Sequence, residues 1–227
     1  MIKLLNTSKF YPPDVKALNA ATLCIRPSEF VSIVGQSGSG KTTIVKILIG
    51  EERLDAGKVL VGGWDITNIN HSEIPFLRRQ IGVIFQDFKL LPQKNLKENV
   101  AFALEVCGKP AKKINKIVPQ VMKIVGLEKK MDRYPHEVSG GERQRAAIAR
   151  ALVHTPKILL ADEPTGNLDS INAHGIIDLL LKINKFGTTV MLVTHNREIV
   201  NRLKKRVVTI DNGSIISDQA VGKYLLL

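Results

Sequence analysis

Eight residues constrain this chain more than any other stretch: Gly35-Gln36-Ser37-Gly38-Ser39-Gly40-Lys41-Thr42. They follow an apolar run, Phe30–Val34, and lead into a helical pattern over Thr42–Ile49. A GxxxxGK[ST] string between a strand and a helix forms a loop whose backbone N–H groups converge, because glycine lets the chain wrap inward. The following helix adds the partial positive charge of its N-terminus. Such a loop is shaped for phosphate oxygens. In that position Lys41 is expected to reach β- and γ-phosphates, and the Thr42 hydroxyl to ligate Mg²⁺.

The remaining pattern agrees with an α/β core. Short apolar runs at Ile2–Leu5, Thr22–Ile25, Val59–Val61, Gly82–Phe85, Ile158–Ala161, Thr189–Val193, Val207–Ile210 and Ser214–Ile216 read as strands. The last two flank Asp211-Asn212-Gly213, a hairpin signal. Helical spacing falls at Lys97–Val106, Lys112–Val125, Arg143–Val153 and Ile171–Lys185. Alternation at both ends predicts a parallel sheet. The middle differs: from Lys89 to Arg133 there are eleven Lys or Arg against four Asp or Glu, a net +7, with helical spacing and no buried-strand run. It reads as a helical insertion, and no internal repeat is visible.

Composition narrows the partners. With 44% apolar and 24% charged residues, the 227-residue chain is ordinary globular material, not disordered or low-complexity. Its 33 Lys and Arg against 21 Asp and Glu leave a net charge of +12. That excess suits nucleic acid, anionic lipid or phosphate ligands, and equally a lysine-rich solvated surface. Cys24 and Cys107 form no CxxC and sit in no His cluster, so buried thiols in a reducing compartment are expected. Residues 1–14 carry no secretory leader pattern, and no run of about 18 apolar residues reads as a membrane span. Work at a membrane would need something other than a span of this chain to hold it there.

Other residues add chemistry. Ile158–Ala161 runs into Asp162-Glu163; a carboxylate at the carboxyl end of a core strand lies where open α/β sheets bind ligands. There Asp162 can hold Mg²⁺ through water and Glu163 can polarise an attacking water. Ser139-Gly140-Gly141-Glu142-Arg143-Gln144 opens a helix, as an ordinary serine cap would or as a second anion nest would. One nucleotide in the first loop leaves that nest unexplained; a second subunit explains it. Gln86 directly follows the Gly82–Phe85 strand, and His195 follows Thr189–Val193 with one residue between. Both are expected at the sheet edge that carries Asp162. Tyr11, before Pro12-Pro13, is placed to stack on a base or simply to pack.

Together these residues resemble the nucleotide-binding subunits of ABC ATPases, in the family's order and over nearly the whole chain. The resemblance makes Tyr11 the A-loop aromatic, Gly35–Thr42 with Thr43 the Walker A site, and Gln86 the Q-loop with a share in Mg²⁺. It makes Ser139, Gly140, Gly141 and Glu142 the ABC signature, Asp162 and Glu163 Walker B and the catalytic glutamate, Asn167-Leu168-Asp169 the D-loop, and His195 the switch histidine. Val138 departs from the family's usual leucine.

The implied fold is a P-loop NTPase core with an N-terminal antiparallel β region over 1–88 and 156–227, and an α-helical subdomain over 89–155. The implied reaction is Mg²⁺-dependent hydrolysis of ATP by a homodimer. Two ATP molecules lie head to tail, each between Walker A of one chain and the signature of the other, and closure drives a membrane partner. Phe85–Pro92 and Glu98–Leu104 resemble the cell-division branch of the family most, although Gln93–Lys97 departs from its wording. For that branch the partner is the integral membrane protein FtsX, the place the cytoplasmic face of the cell membrane at the division site, and the output control of cell-wall hydrolysis. Two other readings remain: a lipoprotein-release or macrolide-type exporter ATPase, and a soluble nucleic-acid-associated ABC protein. The resemblance implies no specific nucleic acid, and an anionic membrane surface would suit the basic insertion.

Overall fold

The computed structural model describes residues 1–222 and Tyr224. In chain order its strands are β1 (Ile2–Tyr11), β2 (Val15–Ile25), β3 (Phe30–Val34), β4 (Ala56–Val61), β5 (Trp64–Asp65), β6 (Ile81–Ile84), β7 (Ile158–Asp162), β8 (Thr189–Val193), β9 (Arg206–Asp211) and β10 (Ser214–Gln219). Its helices are α1 (Lys41–Leu48), α2 (Ile74–Arg78), α3 (Leu96–Val106), α4 (Ala111–Ile124), α5 (Gly140–Leu152), α6 (Ser170–Lys185) and α7 (Arg197–Leu203). The chain divides into two compact units: Met1–Arg78 with Asn184–Leu227, and Arg79–Ile183.

The first unit holds two sets of strands. An antiparallel set runs β2-β1-β4-β5. In the other, β3 pairs in parallel with β8 on one side and β9 on the other, and β9 turns back into β10 through Asn212-Gly213. Every residue of β3 and β8 is buried, as their dense apolar runs predict for parallel strands covered on both faces. β1 runs on to Tyr11, past the expected end at Leu5. Its register with β2 shifts between Leu4 and Thr7, where Asn6 has φ 47°, and pairing resumes beyond. The bulge breaks the alternation that marks a strand in sequence. β2 likewise starts at Val15, not Thr22. Two short helices, α2 and α7, escape the sequence pattern because so few residues give no period to read. α7 is nonetheless well anchored: the Asn196 side chain accepts from the Ile199 amide at 3.1 Å, and Val200 packs with Val34, Val207 and Tyr224.

In the second unit β6 and β7 are parallel, Ile81 opposite Ile158 and Ile84 opposite Ala161. The unit also carries α3 to α5 and most of α6. Between residues 89 and 155 the described chain forms helices and 3-10 turns but no strand. α4 buries Ile114, Val118 and Met122, four residues apart on one face, and leaves Lys112, Lys113, Lys116 and Lys123 exposed. α5 starts at Gly140, ahead of the expected Arg143. The Ser139 hydroxyl accepts from the Glu142 amide at 3.3 Å and Glu142 accepts from the Ser139 amide at 3.0 Å, a capping box that begins the helix before its apolar face does.

Candidate functional site

In the first unit β3 ends at Val34 and α1 begins at Lys41, with the glycine-rich loop between them. Gly40 has φ 102°, and a Cβ there would collide with the Ala17 carbonyl oxygen; at Gly35 a Cβ would collide with that of Ile210. Both glycines are therefore required by close backbone approach. Lys41 is 7% exposed, and its Nζ donates to the carbonyls of Gly35 at 2.9 Å and Gln36 at 2.6 Å. The ammonium thus stands inside the concavity of its own loop. No side chain caps α1 and no acidic residue lies in its first turn. Amide dipoles and a buried ammonium at the start of a helix fit the polyphosphate of a nucleotide. Thr42 is exposed and Thr43 is buried. Because β3 and β8 are parallel, the loop and the exposed His195 leave the same edge of these strands. Tyr11 closes β1 beside an open concavity of about 360 Å³ that it shares with Phe10, Pro12, Pro13, Asp14, Lys16 and Asp55.

The second unit assembles the remaining candidates. β6 and β7 run the same way, so Gln86 and Asp162 lie at one edge. Asp162 is buried and Glu163 half-buried. Glu163 has φ 47°, a left-handed conformation that costs a non-glycine residue about 1–3 kcal/mol and that cores rarely tolerate without a functional gain. A turn follows at once: the Gly166 amide donates to the Glu163 carbonyl at 3.1 Å. Gln86 and Asn167 are joined twice, through Asn167 Nδ2 to the Gln86 carbonyl at 3.0 Å and Gln86 Nε2 to Asn167 Oδ1 at 3.4 Å. Asp169 caps α6, accepting from the Asn172 amide at 2.9 Å and from Asn172 Nδ2 at 2.5 Å. These bonds hold its carboxyl below the usual range.

At the start of α5 the serine does cap its own helix. Lys130 Nζ reaches Glu142 Oε1 at 2.5 Å; chiefly through that bond the Glu142 carboxyl is held below its ordinary 4.5. The pairing offsets the negative charge of Glu142 beside the nest. Gly140 approaches Leu168, and a Cβ on Gly141 would run into the Asn172 side chain. The glycines thus let the start of α5 meet the segment around Asp169 within one chain.

Sequence reasoning missed the residues that hold this unit's loops. Arg150 donates through Nη2 to the Phe88 carbonyl at 2.9 Å and through Nη1 to that of Lys89, both residues being left-handed. The Arg143 guanidinium lies 5.4 Å from the Phe88 ring centre. Asn99, fully buried, accepts from the Leu91 amide at 2.7 Å and donates to the carbonyls of Leu91, Lys94 and Asn95. Gln144, also fully buried, donates to the Pro164 carbonyl at 2.7 Å. The arginines' seven-residue spacing, which keeps them on one helix face, was a readable signal.

A sequence model described as ABC transporter matches residues 18–166. The chain belongs to the ABC transporter family. It is 48% identical over 224 residues to the cell division ATP-binding protein FtsE of Bacillus subtilis, covering 99% of this chain and 98% of the relative. With FtsE of Streptococcus pneumoniae D39 the identity is 45%, covering 99% and 97%. A dimeric ATP-binding cassette solved in a post-hydrolysis state with ADP and phosphate superposes with a TM-score of 0.88 at 33% identity, covering 99% of this chain and 100% of that one. The fold is therefore the ABC cassette.

Proposed function

We propose that this chain is the Mg²⁺-dependent ATPase subunit of an FtsE-type complex, closing as a homodimer around two ATP molecules and driving an FtsX-like membrane protein. The observation that carries the reading is the Gly35–Thr42 loop with Lys41 folded into it, in a chain that aligns end to end with FtsE. Lys41 and the loop amides hold the phosphates, and Tyr11 lies under the base. Thr42, Gln86 and Asp162 supply hard oxygen donors for Mg²⁺, which when bound neutralises charge on the β- and γ-phosphates. Glu163 polarises the water that attacks the γ-phosphate, and His195 contacts that phosphate. Ser139, Gly140 and Gly141 hold the nucleotide bound by the partner subunit. Gln86 reports the state of the γ-phosphate to the segment beyond it, where the membrane partner docks. The working place is the cytoplasmic face of the membrane at the division site, with the exposed lysines of α4 against anionic lipid.

Glu163→Gln tests the reading. ATP should still bind, turnover should fall roughly 10²- to 10⁴-fold as for loss of a general base, and an ATP-bound dimer should accumulate in gel filtration. Turnover near that of the unaltered chain would refute the assignment.

A further inference from the structure

The chemistry so far assigns nothing to Gln144, yet it is fully buried on the helix that begins at the nest. It lies on α5, five residues after Ser139, and is 0% exposed. Its Nε2 donates to the Pro164 carbonyl at 2.7 Å, and its Oε1 is buried with no hydrogen-bond partner among the described residues. A carbonyl accepts only, so the amide nitrogen must face Pro164 and the orphaned oxygen must face away. A half-satisfied buried amide is unfavourable, and a methionine or leucine would fill the place without that penalty. What the amide provides is the bond to Pro164.

Pro164 follows Glu163, the residue held at φ 47°. The pyrrolidine ring removes one soft dihedral, so the Pro164 carbonyl and the Glu163 backbone move together. On the other side, residues 140 to 144 are one continuous helical turn, and displacement of the nest at its N-terminus reaches Gln144 undiminished.

We infer that Gln144 is a positioning residue through which the nest of a chain sets that chain's own Glu163. The inference rests on the ATP sandwich proposed above. In that sandwich the nest of one chain grips the nucleotide of its partner, whereas Glu163 acts on the nucleotide of its own chain. Gln144 therefore makes hydrolysis in one site conditional on nucleotide in the other.

The test is Gln144→Met, close in length and volume but without the donor. Displacing a reacting group by about 1 Å can cost on the order of 10²-fold in rate. Gln144→Met should lower kcat tenfold or more and move the Hill coefficient for ATP from above 1 towards 1. The monomer's Kd for ATP should stay within about twofold. Adding Gln144→Met to Glu163→Gln should leave ATP-dependent dimerisation intact, which a merely structural role would not. If Gln144→Met does not fold, Gln144→Asn carries the same test, since it keeps the amide but is one methylene too short to reach Pro164. Turnover within about twofold of the unaltered chain overturns the inference. So does an unchanged Hill coefficient, or loss of dimerisation in the double variant, which would place Gln144 in building the nest. Failure of Glu163→Gln by itself to dimerise with ATP overturns the sandwich, and this inference with it.

Discussion

Single carboxylates are held in their charged form by the bonds they accept. Glu142 closes the α5 cap and pairs with Lys130; Asp169 caps α6; both are held below their ordinary values by those bonds. Asp65, bonded to Thr67 and Lys58, lies at about 2. A depressed folded-state pKa contributes stability that is complete above the ordinary value and is lost as pH falls through the folded one. These three carboxylates should therefore contribute a constant amount from neutral pH down to about 5 and lose it progressively below about 4.5, while half-buried His154, held below its ordinary 6.5 by desolvation, adds a fall in melting temperature that begins near that value. Glu142→Gln should lower the melting temperature at neutral pH and shallow the acid slope. A variant with the same slope as the unaltered chain would show that this cap carries no linkage. The same residues explain why the signature reads ambiguously in sequence. A serine cap and an anion nest use the same amides, and one chain alone displays the cap.

At the scale of elements, α5 is the member that organises the second unit. It holds the Q-loop exit through Arg143 and Arg150, and the turn after Glu163 through Gln144. Asn99 on α3 fastens the next residues, from Leu91 to Asn95. Between these fastenings Phe88, Leu90 and Leu91 are half-buried. They are too covered to be bare surface and too open to be core, as expected for the floor of a groove that accepts a short helix. Phe88→Ser, Leu90→Ser and Leu91→Ser, made singly, should include at least one variant that binds nucleotide and melts normally yet no longer captures the membrane partner. Normal capture by every folded variant would move the docking surface elsewhere.

At the scale of the whole molecule, charge and assembly remain to be tested. Lys112, Lys113, Lys116 and Lys123 are exposed on α4, whereas Lys130 is engaged with Glu142. Charge reversal should therefore spare Lys130, because a glutamate there would face Glu142. Reversing the four α4 lysines to Glu should weaken binding to anionic vesicles at low salt and leave ATPase activity alone, since each well-placed Lys contributes about 1 kcal/mol at such a surface. Unchanged vesicle binding would return these lysines to solvent. For assembly, Lys41→Ala should abolish nucleotide binding. Ser139→Arg should keep binding in the monomer and block closure, at the added cost of about 1 kcal/mol for the lost cap. Mixing the two chains can rebuild at most one complete site per dimer. Loss of all ATP affinity in Ser139→Arg alone would place the signature in cis and end the sandwich model.

How much of this was legible follows from the range of the forces involved. Local patterns in the sequence already specified the strand–loop–helix at residues 30–48 and the fully buried strands β3, β7 and β8. These patterns are apolar runs and glycine at fixed offsets. The tertiary structure alone decided the extension of β1 beyond its bulge, because pairing with β2 and β4 holds residues that have no alternation of their own. It decided that Gly141 is needed for Asn172, that Arg150 grips Phe88 and Lys89, and that Gln144 reaches Pro164. Each of these joins residues 20 to about 60 positions apart, and no local period records which distant carbonyl a buried donor will find once the chain has packed.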